Sequence, residues 1–492
     1  MRNRHPGAPV GWPAGVKLLG LAETGARRPV GINVADARFH THLLGSTGVG
    51  KSTLLTQLVL QDARAGRGAV VIDPKGDLVT DLLDRLPAGV AGRLVLIDPA
   101  ETTAPAALNV LDGAGGRSGE VVVDQLVGIF ARVFASAWGP RSEDILRCAA
   151  LTVAGHAGAT LADVPRILAD PAHPYRRAAR GRDAAGVGGF WAWYEALTEA
   201  GRSAAVGPVA NKLRAILTRS FAADLLGSAA SSFSLTDILD HGGLLLARLP
   251  KGILGEETTR LVGSLLVAKT WQAATARAAR PEHARPDAGL YIDECHNFLA
   301  LPGALEDTLA EARGYHLALT LAHQHLGQLP RELADAISAN ARNKVYFACS
   351  PEDARRLAPH IGPVLRDYDL CHLGGYRIAC RLVHAGIDTP GFTLAAQPAP
   401  APVPGRAEAL RAAARVFGHT PAARRREQLT RRRTQRRETS AAGGGRVGGP
   451  PGGSVGGPPG VPDPPTPPAP TWPVGASEPP AARQADCLWD VR

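Results

Sequence analysis

The chain has 492 residues, of which 45% are hydrophobic and 20% charged, which allows a large core and is typical of globular proteins. Its net charge of +10 is concentrated near the end: residues 401–492 contain 14 Arg and 7 acidic residues, so basicity alone is weak evidence for a nucleic-acid partner. Because no apolar stretch approaches the ~20 residues of a membrane span and no signal-peptide core is present, we expect a soluble, cytoplasmic protein.

Residues 16–45 predict a β-hairpin that leads into a phosphate-binding loop. Short apolar runs flank a turn at residues 23–25, and a further apolar run precedes the loop. After the loop, apolar residues recur at helical spacing up to Ala65. The loop residues are Gly45, Ser46, Thr47, Gly48, Val49, Gly50, Lys51, Ser52 and Thr53. A strand, a glycine-rich turn and a helix in this order are the setting that a phosphate-binding loop requires.

The chemistry of this loop predicts binding of a nucleoside triphosphate with Mg²⁺, and ATP is the expected nucleotide. Its glycines let backbone N–H groups turn inward around a polyphosphate, and the following helix adds its positive N-terminal end. Lys51 supplies a point charge, and the Ser52 hydroxyl can ligate Mg²⁺.

The order of strands and helices predicts an α/β fold with a doubly wound, mostly parallel sheet interrupted by an all-α insertion. Strand-type segments at 69–73 and 94–98 each end in Asp-Pro, and helix-type segments then occupy 119–240. Strand-type segments resume at 243–247, 289–293, 317–321, 344–349 and 376–383. We therefore divide the core into residues 1–118 and 241–398, with the insertion at 119–240 between them.

Residues 399–492 are predicted to form a disordered tail. Pro-Ala repeats lead into an arginine cluster at 424–437 and then a Gly/Pro-rich tract, which cannot bury enough apolar surface to offset its chain entropy. The arginine cluster is open to two interpretations: a basic helix that binds DNA or anionic lipid, or a solvating tail with only non-specific attraction to acidic partners.

An apolar strand ending in Asp293 and Glu294 indicates hydrolysis rather than kinase chemistry. The first carboxylate can hold the hydration shell of Mg²⁺, and the second can orient and deprotonate an attacking water. A kinase transfers the phosphoryl group to a hydroxyl and excludes water, so it has no need of the second carboxylate.

Two further residues are candidates for catalysis. Gln324 follows another apolar strand, where its amide can hydrogen-bond both the γ-phosphate and the lytic water. Arg313 precedes that strand and is a candidate finger that reaches the nucleotide of a neighbouring subunit. The alternatives, a strand-terminal amide and a solvated helix-end arginine, stay open at this point.

Cysteine and histidine spacing gives no indication of a metal centre. The six cysteines include no CxxC pair and no Cys/His spacing typical of zinc, which indicates reduced thiols. His40 and His42 flank the strand before the loop, and we interpret them as packing or nucleotide-adjacent residues.

Together these segments resemble the VirD4/TraG/TraD coupling proteins of conjugation, which belong with the HerA/FtsK class of hexameric DNA pumps. The resemblance spans roughly residues 16–383. Its segments are the loop at 45–53, the Val-Ile-Asp-Pro-Lys-Gly-Asp run at 71–77, Asp293-Glu294, the block at 309–315 with Arg313, the Ala-His-Gln run at 322–324 and the segment at 340–344.

The resemblance implies a RecA-like core and an ATP-driven DNA translocase that serves as coupling protein for conjugation or type IV secretion. It further implies a homo-hexamer with Arg313 supplied in trans, single- or double-stranded DNA as a partner, and a relaxase or secretion components as others. Coupling proteins usually begin with transmembrane helices, and this chain reaches its loop after 44 residues, so we expect any membrane contact to be made through a partner. The alternatives are a soluble HerA-like motor in repair or phage defence and a nucleotide-gated adaptor with slow hydrolysis.

Overall fold

The computed structural model describes residues 14–419, except 24–26, 113–116, 181–182, 184–185 and 299–304. The strands are β1 Val16–Ala22, β2 Pro29–Asn33, β3 Thr41–Leu44, β4 Gly68–Asp73, β5 Leu94–Ile97, β6 Leu244–Arg248, β7 Ala288–Ile292, β8 Leu317–His323, β9 Asn343–Tyr346, β10 Arg377–Arg381, β11 Val383–His384, β12 Ile387–Asp388 and β13 Phe392–Ala396. The first helices are α1 Val34–Ala37, α2 Lys51–Arg64, α3 Asp77–Arg85, α4 Arg117–Val133, α5 Pro140–Ala154, α6 Val164–Ala169, α7 Pro174–Ala179, α8 Val187–Ala196 and α9 Glu199–Leu217. The remaining helices are α10 Ser220–Leu226, α11 Leu235–Asp240, α12 Lys251–Leu254, α13 Glu256–Thr275, α14 Leu305–Ala312, α15 Arg331–Asn340, α16 Pro351–Leu357, α17 Asp367–Cys371 and α18 Arg406–Ala414.

Eleven of the described strands form one sheet in the order β2-β1-β13-β10-β9-β3-β8-β7-β4-β6-β5. The seven strands from β9 to β5 are parallel to one another, whereas β10, β13, β1 and β2 extend the sheet in antiparallel pairs. The prediction of an α/β fold with a mostly parallel sheet is confirmed.

The parallel strands are buried on both faces, as their continuous apolar sequences require. Successive side chains of β4 alternate between two cores: Val70 and Ile72 contact the helices of the insertion, while Ala69 and Val71 pack toward α2 and α3. The sheet is therefore the middle layer of a sandwich, with one apolar core on each of its faces.

Helices α4 to α11 lie between β5 and β6, where the sequence predicts the all-α insertion. Two of these helices, α6 and α7, are only six residues long each. Trp191 and Phe130 are fully buried in a core that continues to the sheet residues Val95 and Leu245. The insertion thus packs directly on one face of the sheet.

The last predicted strand, 376–383, differs in direction from the parallel strands. Here β10 runs antiparallel to β9. The intervening helices α16 and α17 stay at the carboxyl end of the sheet, where Leu357 and Leu370 share a core with Leu44 and Tyr346. Because the chain never crosses to the opposite end, it re-enters the sheet in the reverse direction.

The prediction of disorder from residue 399 onward does not hold for residues 399–419. Helix α18 buries Leu410 and Ala414, and Phe417 reaches the core of the insertion. Arg411 and Arg415 form ion pairs with Asp98 (2.6 Å) and Glu101 (2.9 Å) at the end of β5. The disorder predicted for 420–492, including the arginine cluster, concerns residues outside the described part of the chain.

The described residues contain neither a membrane-spanning helix nor a disulfide. Across that part of the chain, no helix combines the length and apolar character needed to cross a bilayer. Its five cysteines, Cys148, Cys295, Cys349, Cys371 and Cys380, form no disulfide.

Candidate nucleotide site

The loop at 45–53 turns tightly between β3 and α2 at the carboxyl edge of the sheet. Gly48 and Gly50 have φ angles of 82° and 117°, which L side chains rarely adopt. A Cβ atom at Gly45 would lie 2.5 Å from Cβ of Phe347. Residues 46–48 and Ser52 are exposed, so this part of the loop and the start of α2 are accessible to a phosphate group.

Lys51 is the first residue of α2, and its side chain folds back into the loop. Its Nζ donates hydrogen bonds to the carbonyl oxygens of Gly45 and Ser46, the latter at 2.8 Å. Burial lowers the pKa of the ammonium, although the nearby carboxylates of Glu294 and Asp293 oppose that shift. The Lys51 ammonium is therefore enclosed by the phosphate-binding loop.

A second turn, at residues 73–77 after β4, adds a lysine to the site. Asp73 is fully buried and accepts hydrogen bonds from the backbone N–H groups of Lys75 (2.9 Å), Gly76 (2.8 Å) and Val79 (3.0 Å). The turn so fixed directs Lys75 Nζ to Glu294 Oε1 at 2.7 Å. The sequence prediction of site residues did not include Lys75 or Asp73, although the Asp-Pro-Lys-Gly-Asp run was the available indication.

Asp293 follows β7 and is buried beside other acids. Burial raises the pKa of its carboxyl to about 6, and the neighbouring Glu294 and Asp73 add to the effect, whereas Lys75 and Lys51 oppose it. This local excess of negative charge in a buried pocket fits a divalent cation. In the described residues no group of three or more His, Cys, Asp or Glu could hold a metal ion alone, and Mg²⁺ commonly uses one or two protein oxygens together with substrate phosphates.

Glu294, Gln324 and Thr47 form a continuous chain of hydrogen bonds. Thr47 Oγ1 donates to Gln324 Oε1 at 2.9 Å, and Gln324 Nε2 donates to Glu294 Oε1. Glu294 has a left-handed backbone with φ 47°. Burial would raise the pKa of its carboxyl, but the hydrogen bond from Gln324 and the ion pair with Lys75 outweigh burial and hold that pKa below its ordinary value.

The structure thus brings together the residues predicted from the loop, from Asp293-Glu294 and from Gln324. It does not place Arg313 with them. The Arg313 guanidinium lies 4.0 Å above the centroid of the Phe39 ring, at the amino end of β3 and β8, and its side chain is exposed. A seven-residue strand is about 20 Å long, so Arg313 and the loop of the same chain occupy opposite edges of the sheet.

The two histidines that precede the loop in the sequence are structural in this arrangement. His40 Nε2 lies 2.6 Å from the Leu309 carbonyl oxygen and its Nδ1 accepts from the Leu319 N–H, so the neutral ring bridges β8 and α14. Burial lowers the pKa of His40 to about 4. His42 Nε2 lies 2.7 Å from Nε2 of His323, which directly precedes Gln324. This pair ties the loop strand to the strand of the glutamine.

The sequence matches a family model described as the type IV secretion-system coupling protein DNA-binding domain, over residues 29–364. The chain belongs to this family. The predicted resemblance to conjugative coupling proteins is thereby confirmed. The matched residues include the loop at 45–53, Asp73, Asp293-Glu294 and the helical insertion.

Solved structures of two kinds of protein, TrwB and VirB4, share the fold. The plasmid coupling protein TrwB in complex with the non-hydrolysable GTP analogue GDPNP is 16% identical, covering 80% of this chain and 97% of that chain at a TM-score of 0.53. TrwB in complex with ADP and Mg²⁺ is 16% identical, with 79% and 90% covered and the same TM-score. VirB4 of Thermoanaerobacter pseudethanolicus is 15% identical, with 80% and 99% covered and a TM-score of 0.56. No protein of curated function matches the sequence significantly.

Proposed function

We propose that this coupling-protein family member binds ATP with Mg²⁺ and hydrolyses it to move DNA into a conjugation or type IV secretion channel. The observation that carries the proposal is the convergence of Lys51, Asp293, Glu294 and Gln324 at one edge of the sheet, linked by Thr47. Of these groups, Glu294 and Gln324 have roles that a hydrolase needs and a passive phosphate-binding protein does not.

Lys51 and the loop N–H groups are assigned to the β- and γ-phosphates. When phosphates bind, the ammonium exchanges its loop carbonyl partners for phosphate oxygens, while the remaining backbone stays fixed by β3 and α2. Ser52 and Asp293 are the residues that would hold Mg²⁺, which supplies charge neutralisation on the phosphates when bound. The relative TrwB was solved with ADP and Mg²⁺, which agrees with this assignment of ligands.

Glu294 is assigned as the general base for the attacking water. Its lowered pKa keeps it ionised at neutral pH, so the carboxylate can accept a proton. Gln324 contacts both Glu294 and Thr47 of the loop, which supports a role for its amide between the proposed base and the phosphates. Lys75 holds the base in place through their ion pair.

Arg313 is assigned to the nucleotide of a neighbouring subunit. It lies at the opposite edge of the sheet from its own loop, so only a second copy could present it to a γ-phosphate. A closed ring satisfies this requirement for every subunit at once, and we propose a homo-hexamer. The proposed cargo contacts are phosphates of the DNA backbone, held without base reading, with a relaxase or secretion component engaging the helical insertion.

The test is ATP turnover without DNA, with single-stranded DNA and with double-stranded DNA. We expect DNA to stimulate turnover in the unaltered chain, Lys51→Ala to lose nucleotide binding, and Glu294→Gln to retain binding while turnover falls about 100-fold or more. Glu352→Gln, on the exposed start of α16, is the matched control and should behave as the unaltered chain does.

A rate that does not respond to either kind of DNA would overturn the DNA-moving part of the proposal and favour a nucleotide-gated adaptor. Turnover that survives Lys51→Ala would overturn the assignment of the loop itself.

A further inference from the structure

Tyr376 lies directly beside the phosphate-binding loop, and the assignments above give it no role. Its backbone N–H donates to the Val49 carbonyl oxygen at 3.0 Å, and its own carbonyl oxygen accepts from the Ala396 N–H at 2.8 Å. Both bonds fix this residue to the loop and to β13. The side chain is nevertheless 50% exposed, so a rigid backbone presents an aromatic ring to solvent.

The ring touches the loop at a glycine. A Cβ atom at Gly50 would lie 2.8 Å from Cδ1 and 3.2 Å from Cε1 of Tyr376. Any larger residue at position 50 would therefore displace the ring. One edge of the Tyr376 ring therefore lies next to Gly50, the residue that directly precedes Lys51 and the first turn of α2.

The backbone of Tyr376 is strained. Its φ of 60° falls in the left-handed region that bulky residues rarely occupy. The two preceding residues, Gly374 and Gly375, are both free of that penalty. A bulky aromatic residue held in a costly conformation next to a binding loop points to a functional demand on the ring.

The strand order gives the direction in which a bound nucleotide must run. Glu294 and Gln324 follow β7 and β8, on one side of β3, and they define the γ-phosphate end. Tyr376 precedes β10, on the other side of β3 beyond β9. A triphosphate laid along the loop from the γ end therefore directs its nucleoside toward the side on which Tyr376 stands.

We propose that the Tyr376 ring stacks against the base of the bound nucleotide. This inference rests on the proposed ATP site and extends it from the phosphates to the base. An aromatic face attracts every base because each base has a π-face, so the site takes purine nucleotides generally and holds the smaller pyrimidines less well.

The experiment compares ATP with inorganic tripolyphosphate, which has the phosphates but no base, both in the presence of Mg²⁺. Dissociation constants are measured calorimetrically for the full chain and for Tyr376→Ala, Tyr376→Phe and Tyr368→Ala. Tyr368, on α17, is 68% exposed and stacks on His372, which makes it a matched control. Thermal unfolding of each variant verifies that it is folded.

We expect Tyr376→Ala to bind ATP roughly tenfold more weakly while tripolyphosphate binding stays unchanged. Tyr376→Phe and Tyr368→Ala should both bind ATP as the unaltered chain does. Unchanged ATP affinity in Tyr376→Ala would overturn the stacking role, and an equal loss for both ligands would show that Tyr376 shapes the loop instead.

Failure of the proposed function has a different signature. In that case the unaltered chain would bind neither ligand in a manner that depends on Lys51, and the inference would fall with it. Failure of the inference alone would leave binding by the unaltered chain and its loss in Lys51→Ala intact.

Discussion

At the scale of single residues, the site is a balance between buried acids and the cations that face them. The Asp73 carboxylate accepts hydrogen bonds from three backbone N–H groups. Glu294 forms an ion pair with Lys75 and accepts a hydrogen bond from Gln324. Asp293 is left with burial and like charge as its main influences, so its pKa rises to about 6. The Asp293 carboxyl therefore binds its proton more tightly than an ordinary aspartate does.

This arrangement predicts that Asp293 destabilises the nucleotide-free protein at neutral and higher pH. The carboxyl binds its proton more tightly in the folded chain than in the unfolded chain, where its pKa is about 3.9. Its contribution to stability is therefore fully present below about pH 4 and is lost as pH rises through 6. We expect Asp293→Asn to raise the free energy of unfolding by about 3 kcal/mol at about pH 8, and by little at about pH 4.

The measurement is urea unfolding of both proteins at the two pH values, without nucleotide and with EDTA. A difference in stability that is the same at both pH values would contradict the prediction. Asp293→Asn should also abolish ATP turnover, since the amide cannot replace a carboxylate next to Mg²⁺.

At the scale of elements, the segment 399–419 acts as a strap across the end of β5. Helix α18 packs on the side of the sheet that faces α3, and Phe417 then enters the core on the side of the insertion. Ser232, in the insertion, donates a hydrogen bond to the Phe417 carbonyl oxygen at 2.6 Å. The strap thereby joins the core around the sheet to the insertion through a part of the chain that lies after both.

Two truncations test this role. A chain ending at residue 419 should unfold at the same urea concentration as the full chain, whereas one ending at residue 398 should be strongly destabilised. Phe417→Ala in the full chain should lower the free energy of unfolding by about 3 kcal/mol, because it removes a buried aromatic side chain. Val416→Ala is the matched control, since Val416 is 65% exposed. Equal stability of the two truncated chains would contradict the assignment of a strap.

The sequence was informative where chemistry is local along the chain, and less so where it depends on distant contacts. The loop at 45–53 and Asp293-Glu294 could be predicted because each is a short run that follows a strand. The contacts of Lys75 and Tyr376 could not, since each depends on a partner, Glu294 or Gly50, that is more than 200 residues away. Helix α18 was missed because its Ala-rich sequence has few large apolar residues, and a Pro-rich stretch precedes it.

At the scale of the whole molecule, the sheet separates two halves of the proposed catalytic machinery. The loop, Glu294 and Gln324 lie at its carboxyl edge, while Arg313 rests on Phe39 at the amino edge beside Arg342, which lies 4.4 Å from the same ring. If Arg313 acts in a neighbouring subunit, two kinds of inactive chain should complement each other.

We expect Arg313→Ala and Lys51→Ala chains each to be inactive alone and to regain part of the ATP turnover when mixed and reassembled. The mixture creates interfaces in which one chain supplies an intact loop and the other an intact arginine. Arg331→Ala, a change at an arginine that is 93% exposed on α15, is the matched control and should be active alone. Turnover by Arg313→Ala alone at the level of the unaltered chain would contradict the assignment, as would a mixture no more active than its parts.

If Arg313 acts in a neighbouring subunit, its distance from the loop of its own chain also makes ATP turnover depend on protein concentration. One polypeptide has every part of the proposed machinery but can never bring all of it to one nucleotide. Turnover per chain should accordingly rise steeply with protein concentration and then level off once neighbours are permanent. At low concentration, isolated chains would then hydrolyse little ATP. ATP would be consumed only at places where the chains assemble.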